Sequence, residues 1–144
     1  MHGKLLSEIT KKTKLADAAG AATSDVTSAE IDMEGWDGVM VFTSYGTPAA
    51  DNLMHAEAAI ATGGTFQDIA GSEMDLEGAS DEDQVLDIYR PPRRFVRIVA
   101  QRGTSSTLEN IWAIQYGPRN PPQDDTLAGT LVEQAIVEPA IGTK

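Results

Sequence analysis

The sequence predicts an all-β fold: an antiparallel β-sandwich or jelly-roll-like body with extended N- and C-terminal arms. Three observations predict it. Short apolar or alternating runs recur at roughly ten-residue intervals between about Val26 and Tyr116, the strand spacing of sandwiches and barrels. Gly-, Pro- and Ser-rich punctuation separates them, which is turn chemistry. Both ends offer less to bury: residues 16–30 are rich in Ala, Ser, Thr and Asp, and Pro118, Pro121 and Pro122 open the last segment. The expected organisation is an N-terminal arm over residues 1–25, a body over 26–118 and a C-terminal arm over 119–144.

Taken in order, Leu5, Leu6 and Ile9 offer a short anchoring turn ahead of the body. Val39–Thr43 is an apolar run too short for a helix, flanked by Gly35-Trp36-Asp37-Gly38 and Ser44-Tyr45-Gly46-Thr47-Pro48. It reads as a buried strand. Met54–Ala61 is the next strand, Gly63-Gly64 a hairpin turn, and Thr65–Ile69 alternates strictly. Val85–Tyr89 follows and stops at Arg90-Pro91-Pro92, because proline cannot donate to a ladder. Phe95–Gln101 places Val96, Ile98 and Ala100 on one face. Gly103–Ser106 is a turn, and Thr107–Tyr116 places Leu108, Trp112, Ile114 and Tyr116 on one side with Ile111 and Ala113 on the other. These last two runs are the best hairpin candidate, and the final strand, apolar on both faces, is expected near the centre of its sheet, with Trp112 in the core. The C-terminal arm regains isolated apolar residues at Leu127, Leu131, Val132, Ile136, Val137 and Ile141, the pattern of an arm that orders on a neighbour.

One domain accommodates all 144 residues. No cysteine is present, which removes disulfides, thiol catalysis and thiolate metal sites together. No run approaches the ~20 apolar residues of a membrane helix, and the lysines of residues 1–15 are not followed by a signal-peptide core. The formal charge of −11 argues against nucleic acid or anionic lipid as partner.

The charges are sorted. Residues 16–88 hold sixteen acidic residues and no Lys or Arg, whereas residues 89–119 hold six arginines and one acid, Glu109. Two arrangements follow. The arginines lie beside the acidic strands within one subunit, or basic and acidic faces of different copies meet and charge fixes the register of an assembly. On the second reading Arg90, Arg93, Arg94, Arg97 and Arg119 are the candidate partner-binding residues, since a guanidinium fork pairs bidentately with carboxylates.

Catalytic constellations are missing. Histidine occurs only at His2 and His55, and the latter reads as an ordinary strand residue. No nucleophile elbow, phosphate loop or dinucleotide motif occurs. Asp81-Glu82-Asp83 with Asp87 lacks the glycine and closing glutamate of a calcium loop and reads as a solvated turn. The expectation is a protein that is not an enzyme, with no cofactor and no metal site.

Two stretches carry a resemblance. Ile31-Asp32-Met33-Glu34-Gly35-Trp36-Asp37-Gly38-Val39-Met40-Val41-Phe42 is one. The other is Val85–Pro91, continuing through Arg93-Arg94-Phe95-Val96-Arg97 to Ile114-Gln115-Tyr116-Gly117, with Phe66-Gln67-Asp68-Ile69 between the two. Together they resemble small structural proteins of tailed bacteriophages, the head decoration or cement proteins. That resemblance implies a β-sandwich body without enzymatic activity, a place on the virion's capsid exterior, the major capsid protein as partner, and a homo-oligomer, commonly a trimer. Two other readings stay open: a tail or head–tail joining protein, and a carbohydrate-binding β-sandwich using Trp36 and neighbouring acids.

Overall fold

The computed structural model describes residues 6–46, 49–75 and 83–119. Among these residues a single helical turn, α1 (Leu6–Ile9), is followed by twelve strands: β1 (Thr10–Ala16), β2 (Ala19–Ala22), β3 (Val26–Thr27), β4 (Ile31–Asp32), β5 (Trp36–Ser44), β6 (Leu53–Ala59), β7 (Gln67–Asp68), β8 (Met74–Asp75), β9 (Asp83–Tyr89), β10 (Phe95–Gln101), β11 (Ser106–Leu108) and β12 (Ile111–Pro118). All pairings are antiparallel. One sheet runs β1-β12-β5-β9, a second is built on β10 and β6 with the short strands β3, β4, β7 and β8 beside them, and β2 pairs with β11.

Alternation along the long strands makes the sandwich. In the first sheet the row Gln115–Val39–Ile88 and the row Ala113–Val41–Leu86 face inward. The second sheet answers with Val96 opposite Ala58, Ile98 opposite Ala56 and Ala100 opposite Met54. Most of these side chains are fully enclosed. Two alanines on β6, Ala56 and Ala58, keep one wall low, which lets larger side chains of the facing sheet interdigitate. Trp36 and Ile31 belong to the same core.

Tyr45 ties the sheets together at one end. Its hydroxyl donates to the carbonyl oxygen of Gln101 at 2.7 Å, with that of Leu53 a second acceptor at 3.1 Å. Burial pushes this phenol well above the ordinary tyrosine range.

The all-β antiparallel class and the central position of the last strand are as the sequence predicts. Three details differ. Phe95–Gln101 and the last strand do not form a hairpin: β10 pairs with β6, and β12 lies between β1 and β5 in the other sheet. Successive long strands alternate between sheets, because the connections cross the core instead of turning back alongside it. The predicted Thr107–Tyr116 run is two strands, split at Glu109-Asn110. The body also begins earlier than residue 26, since Thr10–Ala16 pairs along most of β12. Its lysines sit at a sheet edge, where long charged side chains protect the exposed ladder. Residues 1–5 and 120–144, including the apolar positions of the C-terminal arm, lie outside the described residues, as do Asp81 and Glu82.

The inward face of β12 is also the opposite of the expected one. Ile111, Ala113 and Gln115 are buried, while Trp112, Ile114 and Tyr116 lie half-buried on the outer side. Trp112 stands between Phe42 and Lys14 there. Gln115 tolerates its core position because its amide donates to the carbonyl oxygen of Asp32 at 2.8 Å.

Candidate partner-binding site

Four of the five arginines expected to bind a partner line one open cleft of about 400 Å³: Arg90, Arg93, Arg94 and Arg119, over a floor that includes Met33, Trp36, Pro91 and Pro92. Two elements create it. The Arg90-Pro91-Pro92 crossing leads the chain from β9 in one sheet to β10 in the other, and Met33-Glu34-Gly35 makes the parallel crossing from β4 to β5. Neither crossing can continue a ladder. Arg90 holds a positive φ of 52° and Gly35 one of 82°, the left-handed geometry a sharp reversal needs.

Each arginine is held by its own chain. Arg94 grips Asp32 with a two-pronged fork, Nε to Oδ1 at 2.8 Å and Nη2 to Oδ2 at 2.7 Å, and also meets Glu34. That fork holds the Asp32 carboxyl below its ordinary value, helped by the backbone N–H of Glu34. Arg119 donates through Nε to Asp37 at 3.2 Å and through its backbone N–H to the Gly35 carbonyl. Arg90 donates its backbone N–H to the Asp37 carbonyl at 2.7 Å and lays its guanidinium beside the Tyr89 ring. Arg93 reaches across to Gln67 and the carbonyl oxygen of Ala58.

Of the two arrangements the charge sorting allowed, pairing within one subunit is realised for Arg94 and Arg119, which answer Asp32, Glu34 and Asp37 of the same chain. The side chains are still presented outward, Arg94 at 45% and Arg119 at 62% exposure. Four guanidinium groups against three carboxylates leave the rim weakly positive on a chain of net −11. Surface pairs of this kind add little stability. Their effect is to hold the guanidinium planes in fixed directions.

Arg97 stands apart. It is on the outer face of β10, donating through Nε to Glu57 at 2.6 Å and stacked on Phe66 with its guanidinium 4.1 Å from the ring centre. Arg102, in the same sequence block, is buried and spends its fork on carbonyl oxygens of Gly20 and Ser24 at 2.6 Å each. It fastens residues 20–24 to the body. Trp36 is 4% exposed, so it has no open ring face on which a sugar could stack, and the carbohydrate reading loses the platform assigned to it.

One grouping had no sequence signal. His55, which reads as a plain strand residue, faces Glu57 and Asp68. Asp68 arrives only through the β6–β7 ladder, a register that the sequence spacing does not reveal.

The sequence matches no protein-family model and no curated protein. Among solved structures it is similar to a chain from the Bacillus endospore appendages that "form a novel family of disulfide-linked pili". The TM-score is 0.45 and the identity 11%, over 75% of this chain and 88% of that one.

Proposed function

We propose that this chain is a non-enzymatic virion protein that decorates a phage head and stabilises it by bridging neighbouring capsid subunits. The observation that carries the reading is the convergence of Arg90, Arg93, Arg94 and Arg119 on one cleft. It gives an otherwise acidic molecule a pre-oriented patch for acidic partner surface. The resemblance supports the same reading, since part of the pattern that carries it, Met33–Trp36 and Arg90–Arg94, walls the cleft. Each contact is modest, and many copies engaging a shell at once turn modest affinity into durable attachment. A homo-oligomer, a trimer by the same resemblance, multiplies the contacts further.

Two measurements test this. The first is the stoichiometry of the chain in purified particles by quantitative mass spectrometry. A copy number on the scale of the major capsid protein is expected; a small fixed ring instead assigns the protein to the tail or head–tail joint, and absence from particles overturns both virion roles. The second mixes the Arg93→Ala, Arg94→Ala double variant with undecorated capsids. Occupancy should fall while the melting temperature stays near that of the parent, and unchanged occupancy removes the cleft from the attachment.

A further inference from the structure

On the outer face of the second sheet, away from the arginine cleft, three side chains converge that no sequence motif joins. His55 and Glu57 are two apart on β6 and so project to the same side. Asp68 is the direct ladder partner of Glu57 on β7. The His55 Nε2 lies 3.5 Å from Asp68 Oδ1 and 3.8 Å from Glu57 Oε1, and one ligand atom from each residue falls within 4.8 Å of the others.

We propose that these three residues form a binding site for a single zinc-class divalent cation. The spacing suits one. Ligand atoms arranged tetrahedrally about an ion with bonds of ~2.1 Å stand about 3.4 Å apart, so small side-chain rotations close the site. The donor set also discriminates. An imidazole nitrogen with two carboxylates favours a borderline ion such as Zn²⁺ over Ca²⁺ or Mg²⁺, which prefer oxygen alone.

The surroundings are built to hold that geometry. Arg97 donates to Glu57 Oε2 at 2.6 Å and turns the other oxygen, Oε1, toward the histidine. Arg97 in turn stacks on the Phe66 ring. A partner that orients a ligating carboxylate in this way is the usual outer layer of a metal site. Two carboxylates against one guanidinium leave the spot net negative. Beside it His55 and Asp68 open on a depression of about 340 Å³ that Glu73 also lines, which leaves room for water in the remaining coordination positions. His55 and Glu57 are mostly shielded while Asp68 is exposed, so the ion would enter from the Asp68 side. Bound there, it would pin the short β7 and the Gly63-Gly64 turn to β6.

The test uses the untagged full chain, stripped with chelator and titrated with Zn²⁺ by calorimetry, with Mg²⁺ as the control. One saturable site is expected, together with a rise in melting temperature of roughly 5–10 °C at a hundredfold excess over Kd. His55→Gln and Asp68→Asn should each weaken binding by roughly a hundredfold while circular dichroism stays that of the parent. The His55 ring nitrogens should shift on binding in ¹⁵N spectra. No saturable binding, binding that both variants leave intact, or a shift confined to His2 would each overturn the assignment.

Discussion

Gly38 lies on β5 directly opposite Tyr116 on β12, and the tyrosine ring covers the space a side chain would fill. A Cβ placed on Gly38 would stand 2.2 Å from Tyr116 Cζ and 2.4 Å from its hydroxyl oxygen. Gly38→Ala therefore forces the ring outward by more than about 1 Å to reach ordinary van der Waals contact. That shift takes the hydroxyl off Asp87, to which it now donates at 2.6 Å. A hydrogen bond to a charged acceptor is worth about 1.5–3 kcal/mol, near the low end for this surface pair. Lost ring packing adds about 1 kcal/mol, and alanine's smaller unfolded-state entropy returns about 0.5–1 kcal/mol. The net cost is about 1–2 kcal/mol, or roughly 3–8 °C in melting temperature. A second readout is independent of stability. Burial and the neighbouring Asp87 carboxylate push the Tyr116 phenol up to about 12; the raised value stabilises the fold below pH ~10 and the contribution disappears as pH rises through it. In Gly38→Ala the Tyr116 ring carbon should titrate closer to 10. Unchanged stability and titration would refute the argument, as would a penalty that persists in full when Tyr116 is also changed to Leu.

Two further outcomes follow from the same geometry. Arg102→Met removes a buried fork that reaches the carbonyl oxygens of Gly20 and Ser24 and the Ser24 hydroxyl, and should cost about 3 kcal/mol in chemical denaturation; Arg102→Lys should rescue little, because an ammonium cannot reproduce the planar fork, and a Met variant as stable as the parent would contradict this. Asp32 is held below its ordinary carboxyl value by Arg94, so its contribution is present above that ordinary value and is lost as pH falls through the depressed one; Asp32→Asn should flatten the acid limb of the stability–pH profile, and superimposable limbs would show the pair to be inert.

Much of the architecture is written in local pattern. Val96, Ile98 and Ala100 announce the inward face of β10, and Gly63-Gly64 marks a true hairpin, with Gly63 at a φ of 63°. Local pattern failed where the deciding partner is distant. The inward face of β12 escapes local pattern because Trp112 and Tyr116 are larger than Ile111 and Ala113. Bulk alone does not say which side is enclosed, and Gly38 is the mate that receives the Tyr116 ring. The lysine-rich β1 reads as an arm because its apolar content is slight, yet an edge strand needs only one good neighbour. The arginine block was legible as a cluster, but not the carboxylates that anchor it, nor the departure of Arg97 and Arg102 to other tasks. His55, Glu57 and Asp68 meet through a hairpin register set by the turn between them, which composition cannot express.

The pairing of β1 with β12 joins the two ends of the described chain, and it sets an order of events during synthesis. A nascent chain emerging from the ribosome holds Thr10–Ala16 and later Trp36–Ser44 well before Ile111–Pro118, the strand that belongs between them, exists. Such long loop closures slow folding and leave two half-finished edges open to the wrong neighbour. Lysines along the first of those edges disfavour pairing with a foreign strand.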